Sequence, residues 1–310
     1  MTPSFPSLHY SSTVGRDMVH KNAVNEVFLT DSAEYDGHYY FGAELPTSHS
    51  YYNDTEDRQF DTLAIVEASR QAETMLAHKY LGVEKGTHFL LHQWQYSISD
   101  LSNYSSSDKP MSLLMDVKVS NQRHVGTRLR SASENINIFV KSNTSEMVKV
   151  GKIDFDVSYV TPETYAAVRA AAPTEIARST ELTAVPTTVE PDSIGRSLPS
   201  NVVVTNPERS SHGMRAQLRP PLNNRSMFDH AQDHVPAMVI MEAARQLIAL
   251  CNNNPSFSLD KVAVKFNAYT ELSEPAYIEC MYSHDNLTVS VTQLDKQTAF
   301  ISMAIGSEEE

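Results

Sequence analysis

Two short stretches of this 310-residue chain carry Glu and Arg three residues apart inside apolar runs: Ile65-Val-Glu67-Ala-Ser-Arg70-Gln71 and Ile240-Met-Glu242-Ala-Ala-Arg245-Gln246. Ionised side chains in an apolar helix cost free energy unless they are paired or put to use. Glu67 with Arg70, and Glu242 with Arg245, can satisfy one another at i, i+3, or each carboxylate can be kept for proton transfer with a guanidinium beside it. Upstream of each run lies a polar loop with histidines. One is Leu45-Pro-Thr-Ser-His49-Ser-Tyr-Tyr-Asn-Asp54; the other is Met227-Phe-Asp229-His230-Ala-Gln-Asp233-His234-Val-Pro236. A His beside a partly desolvated Glu makes a workable acid/base pair, because burial raises the carboxyl group toward neutrality. Backbone N–H groups at the start of the helix expected over Pro236–Cys251 would also suit a developing oxyanion. His230 and His234 have the i, i+4 spacing of a helical metal pair. Pro236 two residues later places them in a loop, and no further ligand has telling spacing, so no metal is expected.

The elements that must position these residues occur twice. Glu67 and Glu242 lie 175 positions apart, and the same displacement sets Val27 on Val202, Thr30 on Thr205, Pro46 on Pro221 and Asp54 on Asp229 without a gap. A period so far above the roughly 20–50 residues of solenoid arrays means two copies of a whole domain. The copies are expected over 14–168 and 194–306, joined by a Pro/Thr/Ala-rich linker over 169–193. Each begins with a short strand (Glu26–Asp31, Asn201–Thr205) and a second short strand, followed by the histidine loop and the strongest helical signal (Asp61–Tyr80, Pro236–Cys251). Pro236 suits the first helical turn. Four alternating runs follow each helix: His88–Ser99, Met111–Ser120, Asn135–Lys141 and Val148–Val160, then Lys261–Tyr269, Ala276–Tyr282, Leu287–Leu294 and Ala299–Ile305. One apolar helix wrapped by a curved antiparallel sheet is a hotdog domain. The fold class expected is therefore α+β, a tandem or double hotdog.

Composition narrows the function. With 25 Lys+Arg against 38 Asp+Glu the formal charge is -13, which repels a phosphate backbone and argues against nucleic acid as a partner. Two cysteines give no disulfide framework, no window nears the ~18 apolar residues that span a bilayer, and the first residues do not read as a signal peptide. No membrane partner and a cytoplasmic location are expected. No Walker loop, Gly-x-Gly-x-x-Gly or Gly-x-Ser-x-Gly elbow is present, so no cofactor is expected. Basic residues gather in Arg209, Arg215, Arg219 and Arg225, and in Arg123, His124, Arg128 and Arg130. They form either a solvated face or a landing patch for an acidic carrier protein or a phosphate-bearing substrate.

The motifs Val19-His-Lys-x-x-x-x-Glu-Val-Phe-Leu-Thr-Asp31, Leu45-Pro-x-x-His49-x-Tyr-Tyr-x-Asp54, Glu67-Ala-x-Arg-Gln71 and Phe228-Asp-His-x-x-Asp-His-Val-Pro-x-Met-Val-x-x-Glu-Ala-Ala-Arg-Gln246 together resemble the A-factor biosynthesis (AfsA-type) hotdog family, whose members make γ-butyrolactone signalling precursors. Pro236-Ala-Met-Val-Ile-Met-Glu242-Ala also resembles the helix start of hydroxyacyl-carrier-protein dehydratases, with Ala237 where both families commonly show Gly. The resemblance implies an acyltransferase that moves a 3-oxoacyl group from an acyl-carrier-protein or CoA thioester to dihydroxyacetone phosphate. The product would be a phosphorylated keto-ester able to close to a butenolide. Glu67 or Glu242 would be the general base, with Arg70 and Arg245 binding phosphate or steadying the oxyanion. His230, His234, Asp229 and Arg219 would bind substrate, with His49 a first-copy counterpart opposite Asn224. A hotdog thioesterase or dehydratase, or a regulator that binds an acyl chain or lactone without turnover, are the alternatives. Which copy is live, and whether a homodimer forms, stay open.

Overall fold

The computed structural model describes residues 5–55, 60–99, 101, 104, 109–141, 146–170, 187–283 and 286–304. The chain divides into two compact units: Met1–Asn53, Arg58–Leu91 and Tyr96–Thr161 make the first, and Asp54–Asp57, His92–Gln95 and Pro162–Glu310 the second. The first holds β1 (Leu29–Tyr35), β2 (His38–Leu45), α1 (Thr62–Lys79), β3 (His88–Ile98, except its residues His92–Gln95), β4 (Met111–Val125), β5 (Arg128–Lys141) and β6 (Met147–Val160). Its strands run in the order β1-β2-β4-β5-β6-β3, with antiparallel registers such as Phe41↔Met115 and Ile138↔Gly151. The second holds α2 (Pro162–Ala170), β7 (Val204–Arg209), β8 (Gly213–Leu218), α3 (Ala237–Asn252), β9 (Lys261–Phe266), β10 (Tyr277–Ser283), β11 (Asn286–Gln293) and β12 (Lys296–Ala304). Its order is β9-β12-β11-β10-β8-β7. Each unit is one long helix held by an antiparallel sheet.

The repeat is carried element by element. β1 and β7, β2 and β8, and α1 and α3 each start 175 residues apart, as do the single 3₁₀ turns beginning at Arg16 and Pro191 and at Val24 and Pro199. Those second turns occupy the beginning of the strands expected from Glu26 and Asn201, so β1 and β7 start three residues later. The expected linker 169–193 falls largely on residues outside those described; its first residues end α2 and its last form the 3₁₀ turn Pro191–Ile194.

Both helices are stopped and started by local chemistry. Asp61 caps α1 by accepting from the Leu63 N–H at 2.9 Å, and His78 and Lys79 complement the dipole of its last turn. α3 starts one residue later than expected. Pro236 is its N-cap, and the backbone carbonyl of Pro236 accepts from Val239 and Ile240. α3 ends where Asn253 takes a left-handed conformation (φ 51°) that Asn tolerates. Val239, Ile240, Met241, Leu247 and Ile248 are buried along it, each stabilising the fold by about 1.5–3 kcal/mol if fully removed from water.

Candidate functional site

Glu242 lies in the middle of α3 with no exposed surface. Arg196 donates to it through Nε (3.0 Å) and Nη2 (2.8 Å), Arg245 through Nε (3.0 Å) and Nη2 (2.7 Å), and Gln246 through Nε2 (2.6 Å). Five donors saturate a group with about four lone-pair directions. Burial alone would raise this carboxyl group, but the charges of Arg196 and Arg245 outweigh it and hold it far below the usual carboxylate range. Arg196 is fully buried, and the residue before it is Gly195 at φ +68°, where a Cβ would meet the Pro255 carbonyl oxygen at 2.2 Å. The last guanidinium nitrogens are also used: Arg245 Nη1 donates to Ile194 O and Arg196 Nη1 to Asp54 O. Asp54 in turn accepts from the Ser197 and Leu198 N–H groups and from Asn201.

Glu67 repeats the plan with fewer bonds. Lys21 stands 2.8 Å from it where Arg196 stands in the second unit, Arg70 donates at 3.2 Å and Gln71 at 3.1 Å. Burial raises it, but Lys21 and Arg70 lower it further, to about 2. The Arg70 side chain is 39% exposed against 6% for Arg245. The glutamines also match: Gln71 bridges Glu26 O and Phe28 N, and Gln246 bridges Asn201 O and Val203 N.

The histidines differ in what their ring nitrogens do. His49 accepts from the Tyr51 and Tyr52 N–H groups at Nδ1 and faces Glu26 Oε2 with Nε2 (3.3 Å), so both nitrogens hold the loop. His230 faces Asp229 at 3.4 Å with Nδ1 and Gln232 at 2.6 Å with Nε2. His234 faces Asp233 with Nδ1 at 2.6 Å, and no hydrogen bond engages its Nε2 among the described residues.

Four residues around His234, namely Tyr165, Arg169, Tyr269 and Glu271, are ones that sequence reasoning missed. Tyr165 and Arg169, four apart on α2, reach Asp233 through Oη (2.8 and 2.9 Å) and Nε (3.0 Å), and Arg169 also grips Glu271 with two 2.7 Å bonds. Burial raises Asp233, but the bonds from His234 and Tyr165 and the Arg169 charge lower it well below its ordinary value. The His234 ring packs on Tyr269 at 4.7 Å, and the Arg169 guanidinium lies over the same ring at 4.8 Å. Pro162 at the start of a short run with Tyr and Arg on one face was the available signal for α2. Arg219, half-buried, donates from Nη1 to Val202 O, and burial lowers its pKa.

The A-factor biosynthesis hotdog domain model matches this chain twice, over 7–149 and 177–302. The chain belongs to that family. It is 30% identical over 302 residues to a 2-oxo-3-(phosphooxy)propyl 3-oxoalkanoate synthase of Streptomyces virginiae, covering 96% of this chain and 98% of that protein. It is 25% identical to the Streptomyces griseus protein of the same name, over 94% and 95% of the two chains. A match of this extent makes it an enzyme of the AfsA family. The dehydratase domain of the CurF module of curacin polyketide synthase is similar in fold, with a TM-score of 0.53 at 10% identity over 89% of this chain and 95% of that one. This family member is thus a double hotdog, and no helix among its described residues is long and apolar enough to cross a membrane.

Proposed function

We propose that this AfsA-family enzyme transfers a 3-oxoacyl group from an acyl-carrier-protein or CoA thioester to the hydroxyl of dihydroxyacetone phosphate, giving a phosphorylated keto-ester that closes to a butenolide precursor of a γ-butyrolactone-type signal. The observation that carries this reading is the end-to-end likeness to the Streptomyces virginiae synthase. That enzyme's name describes the ester of a 3-oxoacid with a phosphorylated three-carbon keto-alcohol.

Ester formation from a thioester needs a base for the hydroxyl, a donor for the oxyanion and a cation for the phosphate. A carboxylate with its lone pairs saturated and its pKa depressed is a weak base. We therefore read Glu242 with Arg245, and Glu67 with Arg70, as ionised anchors that hold each helix to the turn carrying Arg196 or Lys21. His49, His230 and Asp229 hold their loops. Arg219 is the candidate phosphate contact.

The test is to incubate the purified protein with a 3-oxoacyl thioester and dihydroxyacetone phosphate, omit each in turn, and follow products by mass spectrometry. A phosphorylated ester that requires both substrates is expected. Free 3-oxoacid formed at a rate indifferent to the triose phosphate would replace this reading with thioester hydrolysis, and no turnover of several chain lengths by folded protein would replace it with acyl binding.

A further inference from the structure

Of the imidazoles in the two histidine loops, His234 alone has the layout of a working base. Its Nδ1 is tied to the Asp233 carboxylate at 2.6 Å, which fixes the proton on Nδ1 and leaves Nε2 with its lone pair, unengaged among the described residues. The side chain is 26% exposed, so a substrate hydroxyl can reach it while the Tyr269 ring covers one face. Asp233 cannot drift, because Tyr165 and Arg169 clasp it from α2. The backbone is pinned as well: His234 bridges to Glu271, and Val235 N donates to Thr270 O at 2.8 Å. α3 begins three residues beyond His234.

We propose that His234, oriented by Asp233, is the catalytic base that takes the proton from the acceptor hydroxyl, and that Tyr165 and Arg169 are positioning residues acting through Asp233. This rests on the acyl-transfer reading. The hydroxyl proton moves to His234 Nε2 as the oxygen bonds the thioester carbonyl carbon. The tetrahedral intermediate then collapses, the C–S bond breaks, and the imidazolium returns the proton to the departing sulfur. Ester and thiol leave, and the dyad is restored without any other reactant.

The experiment uses the full chain in the two-substrate assay above. His234→Ala is expected to lower kcat by about 10²- to 10⁴-fold with an unchanged circular dichroism spectrum, and added imidazole is expected to restore part of the loss. Asp233→Asn is expected to lower kcat and to move the acidic limb of the kcat/KM profile to lower pH, since the carboxylate that stabilises the imidazolium is gone. Tyr165, Arg169, Glu271 and Tyr269 face the same dyad, and Tyr165→Phe, which takes a donor from Asp233 and leaves more of its charge to the imidazolium, should move that limb the opposite way and by less. Should His234→Ala fail to fold, His234→Gln gives the same reading of kcat. Folded His234 variants with wild-type kcat, or a loss that imidazole does not relieve together with an unmoved limb in Asp233→Asn, would overturn the assignment while leaving the acyl-transfer reading standing. Wild-type protein that forms no ester would overturn both.

Discussion

The two units build the same joint from different parts, and the substitutions separate scaffold from everything else. In each, a carboxylate in the central helix binds a cation from the preceding turn, an Arg one turn along and a Gln that ties the helix to the backbone 45 residues earlier in the chain. Around that constant joint the neighbours diverge. His20 holds a left-handed conformation (φ 53°) where Gly195 does so (φ 68°), and its ring meets His78 at 2.7 Å. The Glu26–His49 pair of the first unit stands where the second has Asn201 accepting from Asn224 at 2.6 Å. Glu73 on α1 stands where α3 has Ile248. An arrangement retained through so much divergence is doing work that both copies need, and holding helix to turn is work of that kind.

The sharpest way to break this comparison is to neutralise the two carboxylates. Glu242→Gln leaves Arg196 and Arg245 buried without their counter-charge, and removing one partner of a buried ion pair costs about 3–5 kcal/mol. Glu67→Gln leaves Lys21 and a half-exposed Arg70 that can turn to water, and the expected cost is about 1–3 kcal/mol. Urea unfolding of each variant checks this through the shift in midpoint. Equal losses would mean that the two joints are equally sealed, against the 39% and 6% exposures of the two arginines.

A second difference is a buried acid pair that, among the described residues, occurs in the first unit and not in the second. Tyr159 Oη lies 3.3 Å from both Glu73 Oε1 and Glu134 Oε1, and all three side chains are buried. One hydroxyl has one proton to donate, so one carboxyl must be neutral and donate back to the Tyr oxygen. Burial pushes Glu73 up to about 7 against the pull of Arg70, and burial with Glu73 beside it raises Glu134 well above its ordinary value. The folded state therefore binds a proton that the unfolded state has lost, and stability declines as pH rises. For Glu73 the decline runs from its ordinary 4.5 to about 7, of the order of 3 kcal/mol in all. Thermal unfolding across that range should show the slope, and Glu73→Gln should flatten it. A wild-type melting temperature that does not fall across the range would refute the shared proton.

Most of the fold could be read from the sequence because its signals are local. The apolar surround of Met238–Leu250, the alternation of β10 to β12 and the 175-residue displacement need no knowledge of what lies opposite. α2 escaped because it is nine residues long, without a buried side chain, and is held by Tyr165 and Arg169 reaching residues 64 to 102 positions away. The outer ends of β4 and β5 escaped because Arg123, His124 and Arg128 are polar and exposed there and Arg130 is only part-buried. At the site, both Glu-x-x-Arg pairs were visible, yet what decides their chemistry, the cation at Lys21 or Arg196, lies 46 residues upstream. The register that pairs Val27 with Val202 also sets Lys21 opposite Arg196, so the repeat held that signal. Nothing in the sequence marked Glu73, whose partners sit on β5 and β6 and meet it only in the folded core.

The smallest expected effects come from exchanging the two upstream cations, which tests whether the joints differ in demand as well as in kind. Arg196 uses Nε, Nη1 and Nη2 at once, and its fork cannot be copied by one ammonium. Arg196→Lys should cost about 1–3 kcal/mol, because one ammonium cannot serve the Glu242 carboxylate and the Asp54 carbonyl together. Lys21→Arg makes the reverse change where the carboxylate has fewer bonds and Arg70 is open to water, so its effect should stay within about 1 kcal/mol. Midpoints of urea unfolding for the two variants decide it. If Lys21→Arg proved as damaging as Arg196→Lys, the first joint would be as tightly specified as the second, and the argument that unit one was free to diverge around a looser anchor would fail.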